Sequence, residues 1–232
     1  MSKLPINFPA TCIDNFYDDP DSIREFALSQ EFFPSPTGAV PGERTKHLHE
    51  IDKKLFDFFC QRLFSIFFDL SSTEIDWAVE TGFQLVPNYG NDKNSIKNHG
   101  WIHEDADCFF SGVIYLNPKI DPESGTSIYK LIDNSYKDES FDAVTNSSAK
   151  SKFYLNGIDD NYDYHLKRNI DAHEETIRFT NQYNRMIIFE GGIPHGVRNS
   201  YSGNDELRLT QVFFVTKLES TSLTPLQRMR VK

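Results

Sequence analysis

His103 and Asp105 stand two residues apart in His99-Gly100-Trp101-Ile102-His103-Glu104-Asp105, just ahead of the apolar, strand-like run Phe109 to Leu116. In extended backbone, residues two apart project from the same face. The pair therefore offers an imidazole and a carboxylate to one metal ion. A third donor stands far downstream at His195, after the apolar run Met186-Ile187-Ile188-Phe189 and the turn-like Glu190-Gly191-Gly192-Ile193-Pro194. Two histidines and one carboxylate leave coordination positions open, the donor set suited to non-haem Fe(II). Thirteen residues past His195 comes Arg208-Leu209-Thr210-Gln211-Val212-Phe213-Phe214-Val215, a strand that puts Arg208, Thr210 and Val212 on one face. An arginine on an inner strand face is costly without a partner. A dicarboxylate cofactor would supply one through a two-pronged ionic hydrogen bond.

Each of these residues also has a plainer reading. With seven His and 34 acidic residues, a His-x-acid pair arises by chance, and His173-Glu174-Glu175 is a second one. That rival falls in a stretch read as helix, some twenty residues before His195, too close for the strands a barrel must place between metal ligands. It is read as surface. His195, between Pro194 and Gly196, also suits a simple turn, and Arg208 an ion pair with Asp205 or Glu206. Tyr115 suits a core strand position. His99 and His103 are four apart, but Gly100 and the nearby strand argue against a zinc-binding helix. Gly191-Gly192 reads as a tight turn, since no Lys-Ser/Thr follows to make a phosphate cradle. His47 and His49 read as exposed.

The elements that must position these residues divide at about Ser72. Before it the chain reads as helical, with a Pro-rich break from Pro34 to Pro41. Asp19-Pro20-Asp21 places a capping acid before a proline suited to the first helical turn. From Ile51 to Leu70 the apolar positions Leu55, Phe58, Phe59, Leu63, Ile66 and Phe67 recur at mostly three- and four-residue steps, predicting one helix with a broad buried stripe. After Ser72 the spacing predicts strands over 81–87, 108–116, 125–129, 176–179, 185–189, 195–199 and 207–215. Several short strands in series argue for a sandwich or barrel. Between Tyr129 and Thr176 the pattern weakens. Asp133 to Asp163 is polar, with a short helix expected near Tyr164 to Glu174. A connection of this length is usually functional or mobile, and Tyr154, Tyr162 and Tyr164 make it a candidate lid or substrate platform.

The chain has 232 residues, net charge −10, 20 Phe and 10 Tyr, enough apolar and aromatic surface for a sizeable core. One domain over 1–232 is expected, in which a helical N-terminal segment (residues 1–72) precedes a β core (residues 73–216) carrying an insert at about 130–175. The acidic balance disfavours nucleic acid. The longest greasy stretch, Leu63 to Leu70, is too short to span a bilayer, and no signal-peptide core is evident. Cys12, Cys60 and Cys108 are sparse, odd in number and without a CxxC, as a reducing compartment permits. A cytoplasmic protein with a small-molecule or peptide substrate, and neither a nucleic-acid nor a membrane partner, is the expectation. The sequon Asn146-Ser147-Ser148 is read as chance.

The order His103-x-Asp105, a strand ending Tyr115-Leu116-Asn117-Pro118, Gly125-Thr126, His195 and Arg208-x-Thr210 resembles the Fe(II)/2-oxoglutarate-dependent dioxygenases. Within them it is most similar to the prolyl 4-hydroxylase-like branch and to oxygenases of phage and marine microbial genomes. The resemblance covers Phe83 to about Val215. It implies a mainly β fold with flanking helices and a double-stranded β-helix (jelly-roll, cupin-like) core. It further implies His103, Asp105 and His195 as iron ligands and Arg208 on the distal carboxylate of 2-oxoglutarate, with Thr210 and Tyr115 assisting. The implied reaction is hydroxylation with release of succinate and CO2, on a peptide, amino acid or small metabolite. The long insert departs from the family pattern. A cupin-type metal protein without 2-oxoglutarate, and a non-catalytic jelly-roll binding module, remain the alternatives.

Overall fold

The computed structural model describes residues 8–90, 92–105, 107–119, 121–133, 149–157, 161–201 and 207–222. Helix α1 (Pro20–Leu28) begins as its sequence predicts, with the Asp19 carboxylate accepting from the Ser22 amide at 3.1 Å and Pro20 in the first turn. The stripe from Ile51 to Leu70 is not one helix. Helix α2 (Leu48–Ile51) stops at Asp52, whose extended backbone and carboxylate, 2.9 Å from the Leu55 amide, start α3 (Lys53–Ser65). A capping aspartate interrupts the helical ladder even where the apolar period runs through it. The stripe also shifts, because α3 buries Phe56, Phe59, Cys60, Leu63 and Phe64 while Phe58 is 43% exposed.

The strands are β1 (Ala10–Ile13), β2 (Phe33–Pro34), β3 (Glu43–Arg44), β4 (Ile75–Val86), β5 (Phe110–Tyr115), β6 (Thr126–Leu131), β7 (His173–Phe179), β8 (Met186–Glu190), β9 (His195–Val197) and β10 (Arg208–Ser220). Seven form a sheet in the order β1-β8-β5-β10-β4-β3-β2, and three form a second sheet, β7-β6-β9. The pairings are antiparallel. Strand β4 starts six residues before the predicted Thr81, because β10 continues past Val215 and pairs Ser220 with Ile75. Within the insert, α4 (Ala149–Asn156) and α5 (Tyr162–Asp171) are helical; the rest of the polar stretch, 134–148 and 158–160, lies outside the described residues, as do Asp205 and Glu206. The helix predicted to reach Glu174 ends at Asp171. His173 opens β7 opposite Leu131, so the His173-Glu174-Glu175 pair is in a strand, where pairing with β6 overrides the helical pattern.

Alternation along the large sheet sends its two faces to different neighbours. Leu209, Phe213 and Val215 of β10, Phe110 and Ile114 of β5, and Met186 and Ile188 of β8 pack against α1 and α3. Phe59 and Phe213 meet edge to face at 5.4 Å between ring centroids. From the other face, Tyr115, Ile187 and Phe189 meet Ile128 of β6 and Ile193. The molecule is thus mostly β, with α1 and α3 on one face of the large sheet and α4 on the side of the other. The three cysteines are free, and no helix among the described residues is long and apolar enough to cross a membrane.

Candidate functional site

Strand pairing brings the three distant donors together. His195 opens β9 opposite Ile128 of β6. On its other side it forms an isolated antiparallel bridge with His103: the His103 amide donates to the His195 carbonyl at 2.9 Å, and the reverse bond is 2.8 Å. Directly opposed residues of an antiparallel pair project from the same face. Asp105 is tied to the next turn by its amide, which donates to the Gly191 carbonyl at 2.8 Å. A Cβ at Gly191 would lie 2.2 Å from the Cys108 carbonyl oxygen and 2.5 Å from that of Asp105, so only glycine admits this approach.

One ligand atom from each of His103, Asp105 and His195 lies within 4.8 Å of the others. The Nε2 atoms of His195 and His103 are 3.3 and 3.8 Å from the two carboxylate oxygens of Asp105. Each ring is oriented from behind. His103 Nδ1 is 2.9 Å from the Trp101 carbonyl and His195 Nδ1 is 2.8 Å from the Ile193 carbonyl. A carbonyl can only accept, so Nδ1 carries the proton in both and the Nε2 lone pairs face Asp105. That tautomer is the one a metal needs. Burial, then the neighbouring His195 and Lys150, push the His103 pKa down to about 3, keeping it neutral. Burial pushes the Asp105 carboxyl up, but the neighbouring His195 and His103 outweigh it and hold the group well below the usual carboxylate range.

These donors line a cavity of about 280 Å³ that Arg208 also lines. Arg208 is 2% exposed. Its Nε donates to the Ser124 carbonyl at 2.8 Å and its Cζ lies 5.5 Å from the Tyr115 ring centroid, but Nη2 is buried with no hydrogen-bond partner. Desolvation lowers its pKa, partly offset by Tyr115. The Thr210 hydroxyl is also buried without a partner. Tyr115 and Thr210 sit opposite one another on β5 and β10, on the sheet face of Arg208, and do not themselves line the cavity. The Tyr115 hydroxyl is 3.0 Å from Thr126 Oγ1, and Thr126 does line the cavity. His173 is elsewhere, its Nδ1 2.7 Å from the Asn169 carbonyl.

Several wall residues escaped the sequence reading. Ser111, paired across to Phe214, lines the cavity beside Asp105, whose carboxylate its hydroxyl helps to stabilise. Arg44 reaches in from β3, and Lys150 and Ser151 from α4. Of the three tyrosines expected on the insert, only Tyr154 faces the cavity. Tyr162 is buried with its ring stacked on Phe153 at 3.7 Å, and Tyr164 is 62% exposed. A two-residue strand carries no period, so nothing local in Glu43-Arg44 marked it.

No curated protein matches this sequence. Among solved structures, HygX from Streptomyces hygroscopicus with nickel and 2-oxoglutarate bound is 11% identical, with a TM-score of 0.53 over 90% of this chain and 82% of that one. The same protein with nickel, 2-oxoglutarate and hygromycin B bound gives 12% identity and the same score and coverage. EvdO2 from Micromonospora carbonacea var. aurantiaca is 11% identical, with a TM-score of 0.50 over 95% of this chain and 91% of that one. At such identities the likeness is one of fold. By sequence, residues 5–203 match a family model, and the chain belongs to the family of unknown function DUF6445.

Proposed function

We propose that this chain is an Fe(II)- and 2-oxoglutarate-dependent oxygenase, a single domain on a double-stranded β-helix (jelly-roll) core, in the prolyl 4-hydroxylase-like branch of that superfamily. The observation that carries the reading is one cavity holding both a two-His, one-carboxylate cluster and a buried arginine with an unused donor. The donor set fits iron with open positions. The free Arg208 Nη2 and the unpaired Thr210 hydroxyl fit a carboxylate. The two HygX structures support the assignment, as the similar fold there holds nickel, 2-oxoglutarate and, in one, hygromycin B.

In this reading His103, Asp105 and His195 hold the iron. Arg208 receives the distal carboxylate of the keto acid, Thr210 adds a hydrogen bond, and Tyr115 supports Arg208 from beneath and orients Thr126. Iron, 2-oxoglutarate and O2 together supply oxidative decarboxylation to succinate and CO2 and the hydroxylation of a substrate C–H bond. The protein's own role is to hold both imidazoles at fixed tautomers, keep Asp105 ionised and exclude water with Val113, Phe189 and Val212. The substrate is a small molecule, and the three free cysteines suit the reducing cytoplasm.

The test is anaerobic titration. The wild type should show a weak visible absorption band only when Fe(II) and 2-oxoglutarate are both present. His103→Ala and Asp105→Ala should lose stoichiometric Fe(II), while His173→Ala keeps it. Iron lost in His173→Ala and retained in His103→Ala would place the metal at the His173 pair instead. A wild type that binds Fe(II) without any 2-oxoglutarate-dependent band would leave a cupin-type metal protein.

A further inference from the structure

Arg44 is a second cation in the cavity, and the cofactor reading leaves it without a counter-charge. It lies opposite Gln84 of β4, which lies opposite Thr210 of β10, which lies opposite Tyr115 of β5. Opposed residues share a face, so this rung aims Arg44 at the same side of the sheet as the cofactor residues. Its guanidinium leans over Phe214, with Cζ 5.4 Å from the ring centroid. Gln84 is locked by its own amide, which donates to the Pro41 carbonyl at 2.7 Å, and its Oε1 accepts from Arg44 Nη2 at 3.4 Å. The Arg44 Nε is buried and has no hydrogen-bond partner. Among the described residues no carboxylate pairs with it; only the more distant charge of Asp105 supports it. Burial lowers its pKa to about 10, so it stays charged.

A partly buried guanidinium held by one weak hydrogen bond and one aromatic face is an incomplete site. The position of Arg44 is fixed by the fold. Gly42, at φ +67°, makes the turn into β3, and a Cβ there would lie 1.9 Å from the Leu85 carbonyl oxygen. In a chain of net charge −10, the cavity is lined by Arg44, Lys150 and Arg208 against Asp105 and Glu104. Arg44 starts from the rung of Thr210, two residues from Arg208 along β10, and its guanidinium leans over Phe214, on the far side of that rung from Arg208. Leaning apart, the two cations serve different anions. The iron and Arg208 use both acid groups of 2-oxoglutarate, leaving none for Arg44. The cavity that Arg44 enters is also lined by the apolar or aromatic Val40, Pro41, Tyr154 and Phe214, the last directly under its guanidinium.

Resting on the oxygenase reading, we propose that Arg44 receives the carboxylate of the primary substrate, which is a small organic acid with an apolar body. Arg44 and Gln84 set specificity and orientation, and the iron, its ligands and Arg208 act on whatever that clamp presents.

The experiment uses the full chain, anaerobic and loaded with Fe(II) and 2-oxoglutarate. A series of straight-chain and phenyl-substituted carboxylates, with the matching amides and amines, is titrated by calorimetry. The best carboxylates should bind at least roughly tenfold more tightly than their amides, the scale of losing one partner of a buried charge pair. Arg44→Gln should erase that preference while leaving 2-oxoglutarate affinity and the visible band unchanged. Arg44→Lys should restore some of it. The proposal is overturned if the wild type shows no carboxylate preference or if the preference survives Arg44→Gln. It is equally overturned if Arg44→Gln weakens 2-oxoglutarate, since Arg44 then grips the cofactor. A wild type without the 2-oxoglutarate band is a failure of the oxygenase reading instead, and the same series titrated into the Fe(II)-loaded protein then judges Arg44 by itself.

Discussion

The two faces of β10 are built from alternate residues of one strand and satisfy their polar atoms very differently. On the helix-covered face, Leu209, Phe213 and Val215 are fully buried among aromatic rings. The one polar residue of that parity, Gln211, is paired at both ends of its amide, with the Tyr17 hydroxyl at 2.6 Å and the Thr81 hydroxyl at 3.1 Å. On the cavity face, Arg208 keeps a free Nη2 and Thr210 a free hydroxyl. Each buried unsatisfied group costs about 1–3 kcal/mol. A strand that satisfies its buried polar residue on one face and leaves two open on the other has a structural face and a binding face. The open groups are the ones a ligand completes.

The sharpest way to separate the faces is to damage the structural one. Phe59→Ala removes a fully buried ring packed on Phe16 and Phe213. It should lower unfolding free energy by about 3–5 kcal/mol in denaturant titration. The fraction still folded should bind Fe(II) as the wild type does. Weakened iron binding in folded protein would mean that the faces are coupled.

Arg208→Met tests the other face and should give the opposite pattern. Affinity for 2-oxoglutarate in the iron-loaded protein should fall at least tenfold, from the loss of about 2–5 kcal/mol. Thermal stability of the ligand-free chain should hold or rise, since an unpaired buried charge is exchanged for an apolar chain of similar length. Arg208→Lys should recover only some of the affinity, because an ammonium cannot make a forked contact. Unchanged 2-oxoglutarate affinity in Arg208→Met would remove the cofactor assignment.

The smallest effect belongs to Thr210→Val, which keeps the shape of a fully buried side chain and deletes its unpartnered hydroxyl. Stability should stay level or rise by about 1 kcal/mol, with 2-oxoglutarate bound a few-fold more weakly by calorimetry. A loss of stability above about 2 kcal/mol would mean that the hydroxyl is already satisfied in the ligand-free protein, and the contrast between the faces would fail there.

Much of the β core is legible because strands advertise themselves by alternation. Phe110 to Tyr115, Met186 to Glu190 and Arg208 onward lie where their patterns put them. The errors fall where pairing with a distant partner outweighs local pattern. Residues 75–80 carry little alternation, yet they are strand because β10 runs alongside them to Ser220. His173 to Glu175 continue a helical pattern, yet β6 draws them into a strand. In the other direction, Asp52 breaks an apolar stripe because one side chain offers the backbone a better local bond than the helix does.

What the sequence by itself determined is what near neighbours control. The two-residue spacing of His103 and Asp105, the shared parity of Arg208 and Thr210, the Asp19 cap and the turn at Gly191-Gly192 follow from local sterics and short-range hydrogen bonds. They would hold in any fold that kept those segments extended or helical. Only the tertiary structure decided that His195 bridges His103 across ninety-two positions of chain, and that the polar atoms facing the cavity are the ones left open. It also decided that Arg44, on a strand too short to show a period, shares a rung with Gln84 and Thr210. Such placements come from pairing and burial summed over the whole chain, and no window of neighbouring residues contains them.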